Sequence, residues 1–271
     1  MAAAWVAWDH FRDDAEYVVG KYQEDMGDIF FGRDVYLLDF SLKRDKMMQA
    51  LLIARSVTVL DHHKSALEDL EGLDSMFENF SISDSTLDHS GAVITWKYFH
   101  DKKPVPSLLS HIEDRDLWRF RMDGTREVTA ALFAKDLTFQ DIGDFVKTHE
   151  VEKLYNEGVL LLSVHNKQVN LCIKTCYREV ALNIGGVLYY KVPFINCPPN
   201  LTSDVGNTLA AKHPFVMTYY DSADYRNFSL RSSKECMTYK DVSELCKNFG
   251  GGGHLHAAGF KVDRNHWLAK M

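Results

Sequence analysis

Two short motifs combine residue types that could do chemistry. Asp61, His62 and His63 end an apolar run, which places one carboxylate and two imidazoles at the end of a predicted strand. Far downstream, four glycines at 250–253 precede His254. Residues without a Cβ atom allow successive backbone amides to turn towards an anion. The first motif suits a metal ion and the second a phosphate, so together they predict phosphoester hydrolysis.

Either motif alone has a plainer interpretation. A glycine run is usually a flexible linker, and histidines at strand ends are often only hydrogen-bonded. However, the run continues through His254 into residues 257–260, Ala-Ala-Gly-Phe, which is typical of packed structure. The conjunction of the two motifs therefore favours the chemical interpretation.

Other carboxylates complete a metal-binding set. Asp39 ends a second predicted strand and Asp114 lies on a predicted helix. Carboxylates and imidazoles are ligands of Mn²⁺, with Mg²⁺ as the alternative. Two such ions would need a bridging carboxylate, for which Asp39 is suited, and Asp61 is expected to orient a histidine. By chemistry alone, Glu113 and Asp116 are equal to Asp114.

Arg231 ends the predicted strand that contains Phe-Ser-Leu-Arg. A guanidinium can bind a phosphate with two parallel hydrogen bonds, and His254 can donate a hydrogen bond to the same group. Taken alone, Arg231 suits a solvated strand end equally well.

The elements that must position these residues begin with a βαβ unit. The apolar runs 34–39 and 56–61 predict buried strands, and residues 42–54 predict a helix capped by Ser41. A helix between two strands makes them parallel neighbours. Because sites in such sheets lie at the carboxyl ends of the strands, Asp39 and Asp61 are expected side by side.

The rest of the pattern predicts a two-domain α/β protein. Its parts are a parallel-sheet catalytic domain over residues 1–150, a connector helix over 151–178, and a smaller α+β domain over 179–271 with strands at 179–184, 188–193, 216–220 and 227–231. The site is expected in the cleft between the two domains.

Composition limits the partners. The net charge of −7 over 271 residues argues against a long duplex nucleic acid. No stretch is predicted to cross a membrane, and an odd set of five cysteines is typical of reduced thiols in a cytoplasmic protein. The sequence leaves open whether the chain forms homo-oligomers.

These motifs resemble those of the DHH phosphoesterase superfamily with its DHH-associated C-terminal domain. The segment ending at Asp39 resembles the family's second motif, Asp61-His62-His63 the third, and the segment around Asp114 the fourth, with Ser90-Gly-Ala upstream. Residues 250–259 resemble the C-terminal signature. The likeness spans nearly the whole chain.

The resemblance implies a role for each residue. Asp39, His62 and Asp114 would bind metal, His63 and Asp61 would serve catalysis, and the substrate would be bound by Ser90, Arg231, Gly250, Gly251, Gly252, Gly253 and His254. The substrates implied are short oligonucleotides or small nucleotides. The alternatives are inorganic pyrophosphate or, in another class, nucleotide binding without turnover.

One feature departs from the family pattern. The family begins with a strand that carries a first metal-binding motif, whereas Met1 opens directly into residues typical of the family's first helix. The pattern therefore predicts that one metal position is lost or that the chain is shortened, and this favours the nucleotide-binding alternative.

Overall fold

The computed structural model describes residues 1–20, 27–83, 87–148 and 150–271. These residues form two compact units, Met1–Leu162 and Ser163–Met271. The division lies inside one long helix that the sequence predicts as a connector. Across the described part of the chain, no helix is both long and apolar enough to cross a membrane.

A parallel three-stranded sheet organises the first unit. The strands are β1 (Asp34–Leu38), β2 (Ser56–Leu60) and β3 (Phe80–Ser83), in the order β1-β2-β3. Leu38 pairs with Leu60, so β1 and β2 end at the same level. The predicted βαβ unit is therefore confirmed, and Asp39 and Asp61 leave the sheet side by side.

Helices surround this sheet. Their bounds are α1 (Ala2–Phe11), α2 (Arg44–Ile53), α3 (Lys64–Leu70), α4 (Gly91–His100), α5 (Ser107–Asp116), α6 (Thr125–Phe133), α7 (Phe139–Thr148) and α8 (Val151–Cys176). The α2 helix begins two residues later than predicted. Lys43 is at its N-cap position, and the Ser41 hydroxyl donates to the Leu42 carbonyl instead of capping the helix.

Two hydrophobic clusters stabilise the first unit. One packs α1 against α4, α5 and α6, with Trp5 stacked on Trp96 at 6.3 Å between ring centroids. The other fills the space between the sheet and α2, and it includes Val57, Val59 and Met47. Because these buried side chains fix β1, β2, α4 and α5, they also fix the residues that follow or precede those elements.

The second unit is built on a six-stranded mixed sheet. Its strands are β4 (Tyr177–Ile184), β5 (Val187–Asn196), β6 (Val216–Asp221), β7 (Tyr225–Arg231), β8 (Gly252–His254) and β9 (Ala257–Asp263), in the order β4-β5-β6-β7-β9-β8. Among the described strands of this second sheet, only β5 and β6 pair in parallel. The predicted hairpin turn at Gly185-Gly186 is confirmed, since both residues have positive φ.

Each face of this sheet is covered. One face packs against α10 (Val242–Lys247) and the chain end through Phe194, Phe228 and Phe260. The other packs against α9 (Thr202–Ala210) and the end of α8. The α/β class and the separate second sheet are thus confirmed. The sequence did not predict α3, β3 or the β8–β9 hairpin.

Candidate functional site

The candidate site of the first unit lies where β1 and β2 end. Asp39 follows β1 with a left-handed backbone, φ +53°, and its amide donates to the Leu60 carbonyl at 2.9 Å. His62 follows β2, and its Nε2 atom lies 3.3 Å from Asp39 Oδ1 and 3.2 Å from Asp116 Oδ2. Asp116 is the last residue of α5. Three elements therefore bring one imidazole nitrogen and two carboxylates together.

This cluster is polar but enclosed. The imidazole of His62 is only 2% exposed, whereas the side chains of Asp39 and Asp116 are 42% and 43% exposed. One ligand atom from each of Asp39, Asp61, His62 and His63 lies within 4.8 Å of the others. Because these two carboxylates are exposed to solvent, a small cation has access to them.

The pKa values of the two carboxylates are shifted in opposite directions. Burial disfavours ionisation of both, but the hydrogen bond and charge of His62 lower the pKa of Asp39 below its ordinary value. Burial and then the charge of Asp39 raise the pKa of Asp116, although His62 opposes this. A cation bound between the two carboxylates would favour the ionised form of both.

Asp61 orients the second histidine. Its Oδ1 atom accepts from the backbone amides of His62 and His63 at 2.8 and 3.3 Å and lies 2.6 Å from His63 Nδ1. Burial alone would keep the His63 imidazole neutral. The hydrogen bond that His63 donates to Asp61 and the charges of Asp61, Asp39 and Asp116 outweigh burial and raise the pKa of His63 to about 8.

The residues present fit a divalent cation on two observations. The Oδ2 atom of Asp61 is fully buried and has no hydrogen-bond partner among the described residues, which is costly for a carboxylate oxygen. The donor set also combines carboxylates with imidazole, as Mn²⁺ and Mg²⁺ sites do. A positive charge nearby would compensate for both the buried oxygen and the crowded carboxylates.

Gly91 makes room for the Asp39 carboxylate. A Cβ atom at position 91 would come within 2.5 Å of both Cβ and Oδ1 of Asp39. Gly91 is the first residue of α4, so the helix N-terminus, with its partial positive charge, abuts a carboxylate. The sequence motif points to the neighbouring Ser90 and carries no signal for this contact.

Ser90 itself has a structural role here. It is 1% exposed, its hydroxyl accepts from the Val93 amide at 3.3 Å, and its own amide donates to Glu113 at 2.9 Å. This arrangement is a helix N-cap, as the sequence predicted. The buried hydroxyl is engaged in capping α4, and a substrate-binding role for Ser90 stays a prediction.

The three carboxylates of α5 have different partners. Helix C-termini disfavour negative charge, so acidic residues there need other contacts. Glu113 accepts a hydrogen bond from the Ser90 amide, whereas Asp114 accepts hydrogen bonds from the loop that follows α5. Its oxygens accept from the Arg121 amide at 2.8 Å, from the Met122 amide at 3.0 Å and from the Thr125 hydroxyl at 2.7 Å. Asp116 is the carboxylate that contacts His62.

The Asp114 carboxylate is therefore engaged in hydrogen bonds within the protein. Burial opposes its charge, but hydrogen bonds from Thr125, Arg121 and Met122 outweigh burial and lower its pKa. The sequence could not separate Asp114 from Asp116, since both are aspartates in the last turn of one helix. Their different backbone positions, two residues apart, turn them in different directions.

The phosphate-binding candidates lie on one strip of the second unit's sheet. Arg231 pairs with Ala257, which in turn pairs with His254. Directly paired residues point to the same face, so Arg231 and His254 flank a small side chain across roughly 10 Å, two strand spacings. Arg231 donates to the hydroxyls of Ser229 and Ser203 at 2.7 and 3.0 Å, which fixes its guanidinium.

The glycine run is more ordered than an open anion cradle. The amides of Gly250 and Gly251 donate to the carbonyls of Lys247 and Cys246 at the end of α10. A Cβ at position 251 would come within 2.2 Å of the Gly259 carbonyl, so close strand packing requires glycine there. The predicted cradle is thus corrected: two of its four amides serve the helix end, and residues 252–254 form β8.

The chain is similar in sequence to a viral protein. No protein-family model matches the chain. An uncharacterized protein, R106 of Acanthamoeba polyphaga mimivirus, is 30% identical over 282 aligned positions, which cover 96% of this chain and 64% of that protein. The chain therefore spans less than two thirds of the length of this relative.

Two solved structures show weak likeness. One is PggH, a pGpG-specific phosphodiesterase from Vibrio cholerae, with 14% identity and a TM-score of 0.37 over 86% of this chain and 93% of that one. The other is the C-Ala domain of alanyl-tRNA synthetase from Aquifex aeolicus, with 16% identity and a TM-score of 0.25 over 34% of this chain and 89% of that one. Neither score supports an argument about function.

Proposed function

We propose that this protein is a divalent-metal-dependent phosphoesterase that hydrolyses short oligonucleotides or small nucleotides. One observation carries the proposal: His62 Nε2 lies 3.3 and 3.2 Å from carboxylate oxygens of Asp39 and Asp116. Three ligand atoms of the types preferred by Mn²⁺ thus lie close together, and neighbouring Asp61 has a buried oxygen without a hydrogen-bond partner among the described residues.

Asp39, His62 and Asp116 would hold the ion, and Asp116 takes the place that the sequence motif gave to Asp114. When bound, Mn²⁺ or Mg²⁺ would activate water and stabilise charge on the phosphoryl oxygens. The α4 N-terminus beside Asp39 and the Asp61 carboxylate beside His63 set the positions of the other groups. These contacts hold the residues in place before substrate arrives, which is what preorganised catalysis requires.

His63 is suited to act on the substrate. The hydrogen bond to Asp61 and the charge of that carboxylate raise the pKa of His63 and so favour its protonated form. Its Nδ1 atom is engaged with Asp61, which fixes the orientation of the ring. At 26% exposed, the imidazole can donate a hydrogen bond to a phosphoryl oxygen or a proton to the leaving oxygen.

Arg231 and His254 would bind substrate rather than react with it. Both lie on one strip of the second unit's sheet, with Ala257 between them. Hydrogen bonds from Arg231 to Ser203 and Ser229 hold the guanidinium in one orientation, which reduces the entropy lost when a phosphate binds. The chain's net charge of −7 fits a short anionic substrate better than a long one.

A substrate panel tests the proposal. It contains a 5′-phosphorylated dinucleotide, 3′-phosphoadenosine phosphate, a cyclic dinucleotide and pyrophosphate, each with Mn²⁺, with Mg²⁺ or with EDTA. We expect Mn²⁺-dependent turnover of a nucleotide substrate that EDTA abolishes. Turnover of pyrophosphate alone would support the pyrophosphatase alternative. Nucleotide binding without turnover, whether Mn²⁺ or Mg²⁺ is added, would support a nucleotide-binding module.

A variant links the activity to the site. His62→Asn keeps a polar side chain of smaller size in a buried position, so it removes the imidazole ligand with less damage than alanine. We expect turnover to fall by at least about a hundredfold, since metal binding is a several-kcal/mol contribution. His165→Asn is the matched control, because His165 pairs with Asp204 in the second unit. Equal activity in both variants would contradict the proposed site.

A further inference from the structure

The loop after α5 presents two aromatic rings interleaved with two arginines. The guanidinium carbon of Arg115 lies 4.2 Å from the ring centre of Trp118, and that of Arg126 lies 3.5 Å from the ring centre of Phe120. The two rings meet edge to face at 5.0 Å. We call these four residues the stacking platform. It begins beside Asp116, the carboxylate that contacts His62.

The backbone of this platform is strained. Trp118 and Phe120 have φ of +54° and +48°, a left-handed conformation that bulky residues rarely adopt. Outliers of this kind concentrate at ligand-binding and catalytic sites. An ordinary surface loop would have no need to hold two aromatic residues in such a conformation.

Asp114 enforces the strained conformation. Its main-chain carbonyl accepts from the amides of Arg119 and Phe120 at 2.8 and 3.3 Å. Its side-chain oxygens accept from the amides of Arg121 and Met122 and from the Thr125 hydroxyl. With these amides gathered around one buried aspartate, the loop is held in one shape without relying on its aromatic side chains.

The rings are not part of the hydrophobic core. Among the described residues, neither Trp118 nor Phe120 belongs to a buried cluster, and both are half-buried. Arg126, whose guanidinium stacks on Phe120, is exposed. The segment 115–126 also carries four arginines against two aspartates, in a chain whose net charge is −7.

We propose that the stacking platform binds a nucleobase of the substrate, a step that rests on the proposed function. Bases of single-stranded nucleic acids stack on aromatic rings and on guanidinium planes. Arginines can also hold the neighbouring phosphate. Arg115 comes one residue before Asp116, a carboxylate of the metal cluster, and Trp118 comes two residues after it. A nucleotide whose phosphate lies at the cluster would find this surface next to it. The specificity implied is for phosphates that carry a base.

Binding can be measured without turnover. The probe is a 5′-phosphorylated dinucleotide that contains 2-aminopurine, whose fluorescence is quenched when the base stacks on an aromatic ring. Titrations of the full chain are run in EDTA and again with Ca²⁺. Because neither condition depends on hydrolysis, a failure of the proposed chemistry would not remove the binding signal.

The variants separate stacking from folding. We expect Trp118→Ala to lose the quenching and to weaken binding about tenfold, which is 1.4 kcal/mol and within the range for one stacked base. Trp118→Phe should retain most of both. Phe133→Ala is the matched control, because Phe133 is an aromatic residue of the same unit that is 74% exposed. It should behave as the parent chain does.

A base-free ligand completes the test. We expect a dinucleotide with one abasic position to bind the parent chain about as weakly as the intact dinucleotide binds Trp118→Ala. Equal affinity of Trp118→Ala and Phe133→Ala for the intact probe would overturn the platform, as would no binding by the parent chain at millimolar probe. If Trp118→Ala does not fold, unquenched binding by Trp118→Phe would overturn it instead.

Discussion

The two units carry their polar residues in different ways. In the first unit, Asp39, His62 and Asp116 crowd together at strand and helix ends. There His62 lowers the pKa of Asp39, whereas burial and the charge of Asp39 raise the pKa of Asp116. In the second, Arg231 and His254 stand apart on one face of a sheet, with Ala257 between them. The first region is distinguished by the shifted pKa values of its carboxylates. The second is distinguished by the fixed spacing of Arg231 and His254 on the sheet.

This difference separates chemistry from binding. Groups whose pKa values are pushed apart by neighbours are those that hold metals or move protons. Groups held by ordinary hydrogen bonds at a fixed spacing serve to grip a ligand. We therefore expect substitutions in the first unit to change turnover and substitutions in the second to change affinity.

The largest effect is expected from Asp116. Asp116→Asn should lower Mn²⁺ affinity and turnover by at least about a hundredfold, since it removes a charged ligand. The thermal midpoint should change little, because the Asp116 side chain is 43% exposed. Metal titration by calorimetry and a thermal melt measure the two quantities.

Asp114→Asn is the matched comparison. An amide cannot accept from both Arg121 and Met122, so unfolding free energy should fall by about 1–3 kcal/mol. Metal affinity of the folded chain should be retained better than in Asp116→Asn. The reverse pattern, with Asp114→Asn losing metal and Asp116→Asn losing stability, would return the ligand role to Asp114.

A smaller loss is expected at Gly91. Gly91→Ala places a methyl group within 2.5 Å of Asp39 Oδ1, so the carboxylate must move. Turnover should fall by about ten- to a hundredfold, the cost of misplacing a ligand. Gly143→Ala is the control, because its Cβ would meet only Trp5 at 3.4 Å and alanine favours a helix. Equal activity of the two variants would contradict the tight fit.

Arg231 should affect binding instead. Arg231→Ala should raise the KM for a dinucleotide about tenfold or more, since hydrogen bonds to charged groups contribute about 1.5–3 kcal/mol. The kcat of this variant for the dinucleotide, and its activity towards bis-nitrophenyl phosphate, should change much less. Equal losses on both substrates would place Arg231 in the reaction, and no loss on either would leave it a structural residue of β7.

The smallest effect concerns acid stability of the second unit. The hydrogen bond from Arg226, and then the charges of Arg226 and Arg264, lower the pKa of Asp221 in spite of partial burial. This carboxylate therefore adds stability above pH 4, and that contribution is lost as pH falls through its lowered pKa. Asp221→Asn should cost at most about 1 kcal/mol at pH 7, as exposed pairs do. The difference in thermal midpoint between the parent chain and Asp221→Asn should vanish near pH 2. A difference that stays constant with pH would rule out a stabilising ion pair at Asp221.

Sequence patterns predicted the elements whose apolar period is clear. The runs at 34–39 and 56–61 gave the parallel strands and hence the meeting of Asp39 with Asp61. The four-residue strand β3 was missed because so short a run has no distinct period. The β8–β9 hairpin was missed because β8 is Gly-Gly-His, and glycine is depleted in strands.

The site was predicted by type but not in every position. Asp39, His62 and the pairing of Asp61 with His63 lie where strand ends predict them. Selection of Asp116 over Asp114 depends on where the chain turns after α5, and the fit of Gly91 depends on packing between α4 and β1. Neither contact has a local sequence signal, because each joins residues distant along the chain.

The most direct test is an anomalous-scattering map from crystals of the full chain soaked in Mn²⁺. The account predicts a peak bounded by Asp39, His62 and Asp116, lost in His62→Asn crystals. Absence of any peak at millimolar Mn²⁺, or a peak held by other residues, would contradict the proposed metal centre.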